Sequence, residues 1–306
     1  MKKIISFFFV ILISINITGC SKNTAAEYGS EEGLALKEEK YLDIMTTDKN
    51  LYNIVKRIVG DKHYVDYMFS NRKETIDFKF SKDSLNNISK KDLFLYVGVD
   101  FEPWIDSFLN GLNKNKVAVV NSSRGVRTIA YDRKVKYNDK VLKNNPYYFL
   151  NLNNYKIVLS NIKNSIQDKD PGNRGFYEKN FSEILKDVSE YDDKFKKIGS
   201  DLKKYNFIID EDNLDYFLDY LGLNVTKIIR DDKGKITNST DINNLLNSSN
   251  KKTVFLYSED KQYKDNKKLI EDNKLKSSKL KVYNSNITYK DIMKYNLDIL
   301  NNIIKK

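Results

Sequence analysis

The stretch DPGNRGFYEKNFSEILKDVSEYDDKFKKIGSDLKKY, residues 170–205, decides how the chain is organised. Its apolar residues Phe176, Phe181, Ile184, Leu185, Val188, Tyr191, Phe195, Ile198 and Leu202 recur mostly in steps of three and four, the spacing of one face of an α-helix. Asp170-Pro171 supplies a start signal for it. Running from Pro171 to Tyr205, such a helix would be about 50 Å long at 1.5 Å per residue. That is long for one lobe. A helix linking two lobes is therefore expected, with a surface helix of a single domain as the alternative.

On both sides of this segment, strand patterns alternate with helix patterns. Before it, Tyr41–Thr46, Tyr64–Met68, Asp92–Val97 and Val117–Val120 read as strands, and Leu51–Val59 and Ser81–Ser89 as helices. After it, Phe207–Ile209, Val225–Ile229, Val254–Tyr257 and Lys281–Tyr283 read as strands. Asn213–Leu221, Asp241–Asn247, Lys264–Asn273 and Tyr289–Ile304 read as helices. Such alternation implies mainly parallel sheets. The expected fold is α/β: two lobes, each a mainly parallel sheet flanked by helices, joined by a long rigid linking helix. The expected boundaries are 41–168 for the N-terminal lobe, 169–205 for the linking helix and 206–306 for the C-terminal lobe.

The chain opens MKKIISFFFVILISINITGC. Lys2 and Lys3 precede about 15 apolar residues, too few to span a bilayer comfortably but typical of an export signal. Residues 1–20 are expected to be a lipoprotein signal peptide, because Ile17-Thr18-Gly19-Cys20 is similar to a lipobox with Cys20 as the lipidated residue. Cys20 is the only cysteine, so the mature chain has no internal disulfide. Residues 21–40 are polar, lack periodicity and read as a flexible tether. The formal charge is +11. The lysines are interspersed with Asp and Glu rather than clustered with Arg and aromatics, which argues against nucleic acid as a partner. With one remote His63 and no Gly-rich phosphate loop after a strand, no nucleophile–His pair or nucleotide site is available, and an enzyme is not expected. His63 itself reads as a surface or strand-end residue.

Several stretches carry a family resemblance. VGVDFEPWIDSFL (Val97–Leu109) resembles the Glu-Pro-Trp segment of the metal-specific solute-binding lipoproteins of ABC transporters, the zinc- and manganese-binding cluster that includes adhesin-like members. DPGNRGFYEKNFSEIL (Asp170–Leu185) resembles the start of their linking helix, YKDIMKYNLDIL (Tyr289–Leu300) their last helix, and VNSSRGV (Val120–Val126) the segment after the Trp motif. The resemblance covers residues 41–306. It implies a solute held in a cleft, delivery to an ABC permease and ATPase, lipid anchoring at the extracytoplasmic face of the cell membrane, and a monomer.

The family holds its ion with imidazoles and carboxylates, donors suited to zinc and manganese. Carried over residue by residue, its ligand positions fall on Ile76, Tyr147, Glu211 and Ser285. Asp77, Phe78, Tyr148 and Asn151 are implied as cleft neighbours. In NNPYYFLNL (144–152), Tyr147 stands where an imidazole is implied. Glu211 is the one competent ligand, or else one of three acids at a helix start. On this basis high-affinity zinc or manganese is not expected, and no cofactor is certain, although a divalent metal stays open. Three functions follow: a binding protein with a changed solute, a non-transporting surface lipoprotein for adhesion, scaffolding or accessory duty, or metal uptake through oxygen ligands.

Overall fold

The computed structural model describes residues 41–137, 140–248, 251–284 and 286–305. The signal peptide, Cys20, the tether and Ser285 lie outside the described residues.

The first half runs β1 (Asp43–Asp48), α1 (Lys49–Val59), β2 (Tyr64–Phe69), α2 (Arg72–Asp77), α3 (Lys82–Ser89), β3 (Leu93–Tyr96), α4 (Ile105–Gly111) and β4 (Ala118–Asn121). Its four strands are all parallel in the order β2-β1-β3-β4. Asp48 ends β1 and caps α1, accepting a hydrogen bond from the Asn50 amide at 2.7 Å. The apolar side chains of α1 recur at helical spacing, and Leu51, Ile54, Val55, Ile58 and Val59 are all buried.

A two-stranded antiparallel hairpin follows, β5 (Ala130–Tyr137) and β6 (Lys140–Asn144). The Lys- and Asn-rich composition of 131–145 gave no strand signal, because most of the hairpin's side chains face water. Asn151 then caps α5 (Leu152–Lys169) through its side-chain oxygen. The expected long helix is present but shorter than its periodicity suggested. Pro171–Asn173 form a 3-10 turn and α6 runs Arg174–Leu202, 29 residues, or about 43 Å. Phe176 stays 36% exposed while its neighbour Tyr177 takes the buried position.

The second half runs β7 (Tyr205–Ile209), α7 (Asp215–Tyr220), β8 (Val225–Lys227), α8 (Ser239–Ser248), β9 (Lys252–Tyr257), α9 (Asp260–Asp265), α10 (Lys267–Asp272), β10 (Lys276–Lys279) and α11 (Tyr289–Ile304). The sheet is again parallel, in the order β10-β9-β7-β8. The strand expected at Lys281–Tyr283 is instead the polar Lys276–Lys279. Val282 and Tyr283, whose hydrophobicity suggested a strand, pack beside the core as irregular chain.

One apolar core runs through both halves. It takes Ile44 and Leu95 from the first sheet, Phe207 and Leu256 from the second, and the inner faces of α5, α6 and α11. Helix α6 packs on α1, α5 and α11, so elements from both ends of the chain close on the same rod. Among the described residues no helix is long and apolar enough to cross a membrane.

His63 is not at the surface but 4% exposed. Its Nδ1 accepts from the Leu42 amide at 3.3 Å, and its Nε2 lies 2.6 Å from Tyr177 Oη, which donates to Asp170 at 2.5 Å. This network ties the start of α6 to the mouth of β1. Burial lowers the His63 pKa from its ordinary 6.5, partly offset by the Asp170 charge. The unfolded chain therefore binds this proton more readily than the folded one. The stability His63 contributes is complete above pH 6.5 and is lost as pH falls below it. His63→Phe is expected to cost about 1–3 kcal/mol at pH 7.5 by orphaning the Leu42 amide and removing the second partner of the Tyr177 hydroxyl. Its deficit against wild type, measured by urea unfolding, should shrink as pH drops from 7 to 5.

Candidate functional site: a pocket between the two sheets

The segment NPYYFLN, 145–151, is held from both halves. Tyr148, fully buried, donates to the Val97 carbonyl of the first half at 2.7 Å. From the second half, Tyr216 donates to the Asn145 carbonyl at 2.8 Å and Tyr289 to the Phe149 carbonyl at 3.0 Å. Asn145 Nδ2 reaches back to the Asp212 carbonyl at 2.7 Å. Pro146, Tyr147, Phe149 and Leu150 of this segment line a cavity of about 320 Å³. The first half supplies Asp48, Asn50, Arg72 and Phe101 to its wall, and the second half Asn213 and Glu259.

The Glu-Pro-Trp segment shapes one wall. Gly98, Val99 and Asp100 all have positive φ (79°, 51° and 57°), a conformation costly for a β-branched residue such as Val99. Gly98 is required here, since a Cβ would come within 2.3 Å of Ser123 Oγ. Glu102 holds the loop: its carboxylate accepts from the Val97 and Gly98 amides at 2.8 and 2.9 Å and from the Thr47 hydroxyl. Burial pushes this carboxyl up to about 7 in spite of the three donors. The loop delivers Phe101 and the Asp100 carbonyl to Arg72. The Arg72 guanidinium lies 4.5 Å over the Phe101 ring, and its Nη2 donates to Asp100 O at 3.2 Å. Trp104 locks the far end of α2, donating from Nε1 to the Thr75 carbonyl at 2.8 Å.

Of the implied ligand positions, Tyr147 is in the pocket wall and Glu211 stands near it. Burial raises the Tyr147 phenol above its ordinary 10, with Arg72 pulling back and Asp212 and Glu211 pushing further. Burial also raises Glu211, helped by Asp210, Asp212 and Glu259 and opposed by Arg133. Ile76 is half-buried on α2 outside the pocket lining. The implied neighbours mostly stand elsewhere. Asp77 is exposed and paired with Lys73. Phe78 packs against Phe69 and Trp104 in a separate core. Tyr148 and Asn151 are buried, one as a strut and the other as a helix cap.

The acids flanking Glu211 are already engaged. Asp210 accepts from both Nε and Nη2 of Arg230. Asp212 pairs with Arg133 at 2.7 Å and with Lys227 at 3.0 Å, and Asp215 pairs with Lys227 at 2.5 Å. Burial lifts Asp215 to about 6 against the pull of Lys227. Among the described residues no three His, Cys, Asp or Glu side chains converge to share an ion. The pocket wall does carry oxygens of another kind: Asn50 Oδ1 and Asn213 Oδ1 are buried without a partner. Periodicity and motif matching missed these two and Arg72, because nothing in sequence distinguishes an unpartnered amide or guanidinium from a satisfied one.

Two parallel-sheet halves sharing one helical core, with a pocket built from both, define a bilobal solute-binding protein. The chain belongs to the family described as zinc-uptake complex component A, periplasmic, whose model matches residues 44–303. It is 28% identical over 232 residues to the manganese ABC transporter substrate-binding lipoprotein PsaA of Streptococcus pneumoniae, covering 73% of this chain and 70% of that one. To the metal ABC transporter substrate-binding lipoprotein FimA of Streptococcus parasanguinis it is 31% identical over 214 residues, 66% of this chain and just under two thirds (64%) of FimA. The crystal structure of the metal-dependent lipoprotein YcdH from Bacillus subtilis superposes with a TM-score of 0.70 at 23% identity, covering 85% of this chain and 98% of that one.

These relatives correct one expectation. That high-affinity zinc or manganese is not to be expected was inferred from four aligned positions alone. It is overturned by a family described by zinc uptake and a relative named for manganese. The inference had counted only the four aligned positions and the acids beside them.

The loop account is checked by Glu102→Gln. The new amide would turn an N–H toward the Gly98 or Val97 amide, and a loss of about 1–3 kcal/mol is expected in denaturant unfolding.

Proposed function

We propose that the chain is the solute-binding component of an ABC importer of the zinc/manganese type. In this reading lipidated Cys20 anchors it at the extracytoplasmic face of the membrane, residues 21–40 tether it, and a permease and ATPase receive its cargo. Residues 41–168 and 206–306 form the lobes about the 169–205 helix. The chain acts as a monomer and carries out no chemistry on its solute.

The family's usual imidazoles are replaced here, and oxygen atoms take over as donors. The observation that carries this is the pair of unpartnered amide oxygens, Asn50 Oδ1 and Asn213 Oδ1, one from each half of the fold. A buried acceptor without a partner costs about 1–3 kcal/mol, a cost that a bound cation removes. Asp48 and Glu259 add carboxylates to the same wall. Carbonyl, carboxylate and water oxygens suit manganese better than zinc, which prefers nitrogen and sulfur. Burial holds Asp48 up at about 6 against its hydrogen bonds from Asn50, so binding should strengthen as pH rises through 6 and the carboxyl ionises.

Isothermal titration of the purified full-length chain in detergent tests this. One manganese ion per chain is expected, with affinity falling about tenfold (~1.4 kcal/mol) in Asn213→Ala. Absence of saturable binding of either manganese or zinc would favour the non-transporting surface lipoprotein instead.

A further inference from the structure

The cations of the acid-rich wall beside the pocket have found their anions: Arg133 with Asp212, Lys227 with Asp212 and Asp215, and Arg230 with Asp210. Arg72 is different. It forms no ion pair among the described residues, and its Nη1 is buried with no hydrogen-bond partner. The rest of the group is fixed in place, with its face on Phe101 and Nη2 on the Asp100 carbonyl. The two buried carboxylates whose charge it feels are occupied elsewhere. Asp48 caps α1, and Glu102 is taken by three donors of the 97–102 loop. The Tyr147 phenol lies within hydrogen-bonding reach of the guanidinium, yet Nη1 itself has no partner.

A fixed, permanently charged guanidinium in the wall repels a bare divalent cation. It also offers part of the planar fork that carboxylates match. The cavity, about 320 Å³, is the size of a small-molecule pocket, whereas one water occupies about 30 Å³ in the liquid. The unpartnered groups are of both polarities: a donor at Arg72, and acceptors at Asn50 and Asn213.

We propose that this pocket takes its metal together with a small polycarboxylate, one carboxylate seated on Arg72 and the metal facing the amide oxygens of Asn50 and Asn213. The carboxylate cancels the repulsion between guanidinium and ion, and the complex fills space that an ion alone leaves to water. The metal half of this statement rests on the proposed function, while the anion half rests on Arg72 alone.

The test is a titration of the full-length chain with manganese chloride, with citrate, and with manganese–citrate, for wild type, Arg72→Met and Arg72→Lys. Manganese–citrate is expected to bind wild type at least tenfold tighter than manganese alone. Arg72→Met should abolish that advantage and tighten binding of manganese alone, since the repelling charge is gone. Arg72→Lys, which keeps the charge but loses the fork, should retain only part of the advantage. It also keeps the test decisive if the Met variant melts early. Manganese binding that citrate only weakens, equally in all three proteins, would overturn the anion site and leave the metal function standing. Citrate binding that needs Arg72 but gains nothing from manganese would keep the anion site and remove the metal. No binding of any titrant would overturn both.

Discussion

The structure depends on tyrosine hydroxyls that grip the 145–151 segment from opposite sides. Tyr148 reaches into the first sheet's loop, while Tyr216 and Tyr289 reach in from the second half. Each is a buried polar group that finds a backbone carbonyl, so the segment satisfies its own hydrogen-bonding needs only where both halves are in place. The stacked rings of Tyr155 and Tyr289, 3.6 Å apart and within 4° of parallel, extend the same seam to α5 and α11. Tyr147 is thereby placed in the pocket wall by the anchoring of its neighbours.

This seam accounts for the largest core, which runs through both sheets. A pair of lobes hinged by loops would bury two separate cores. Here α5, α6 and α11 are shared, and the pocket is a gap in a continuous packing. Its walls are braced for the same reason: the Glu102-held loop and the Trp104 bond to α2 hold the elements that carry Phe101 and Arg72. Pre-organisation of this sort favours affinity, because little side-chain freedom is left to lose on binding.

The architecture was legible wherever one face of an element is buried. Helix α11 coincides with its expected span, Tyr289–Ile304, because Ile292, Leu297 and Leu300 mark an uninterrupted stripe. The hairpin and β10 were not legible. Their residues are polar, and pairing with a neighbouring strand rather than burial makes them strands. Tyr147, implied by its motif, lies in the pocket wall, while Phe78 packs against one core and Tyr148 lies inside another. Arg72, Asn50 and Asn213 could not be found from sequence, since what sets them apart is the lack of a partner in space. The cargo expectation rested on four aligned positions alone, and the family description and the manganese relative's name overturned it.

Hydrogen–deuterium exchange of residues 145–151 in the solute-free protein tests most directly whether the seam fixes the pocket. The Asn145 amide, bonded to the Ile129 carbonyl at 2.8 Å, and its neighbours should exchange as slowly as the central strands β1 and β7. Exchange of this segment on the timescale of exposed loops, with the two sheets still protected, would contradict the account.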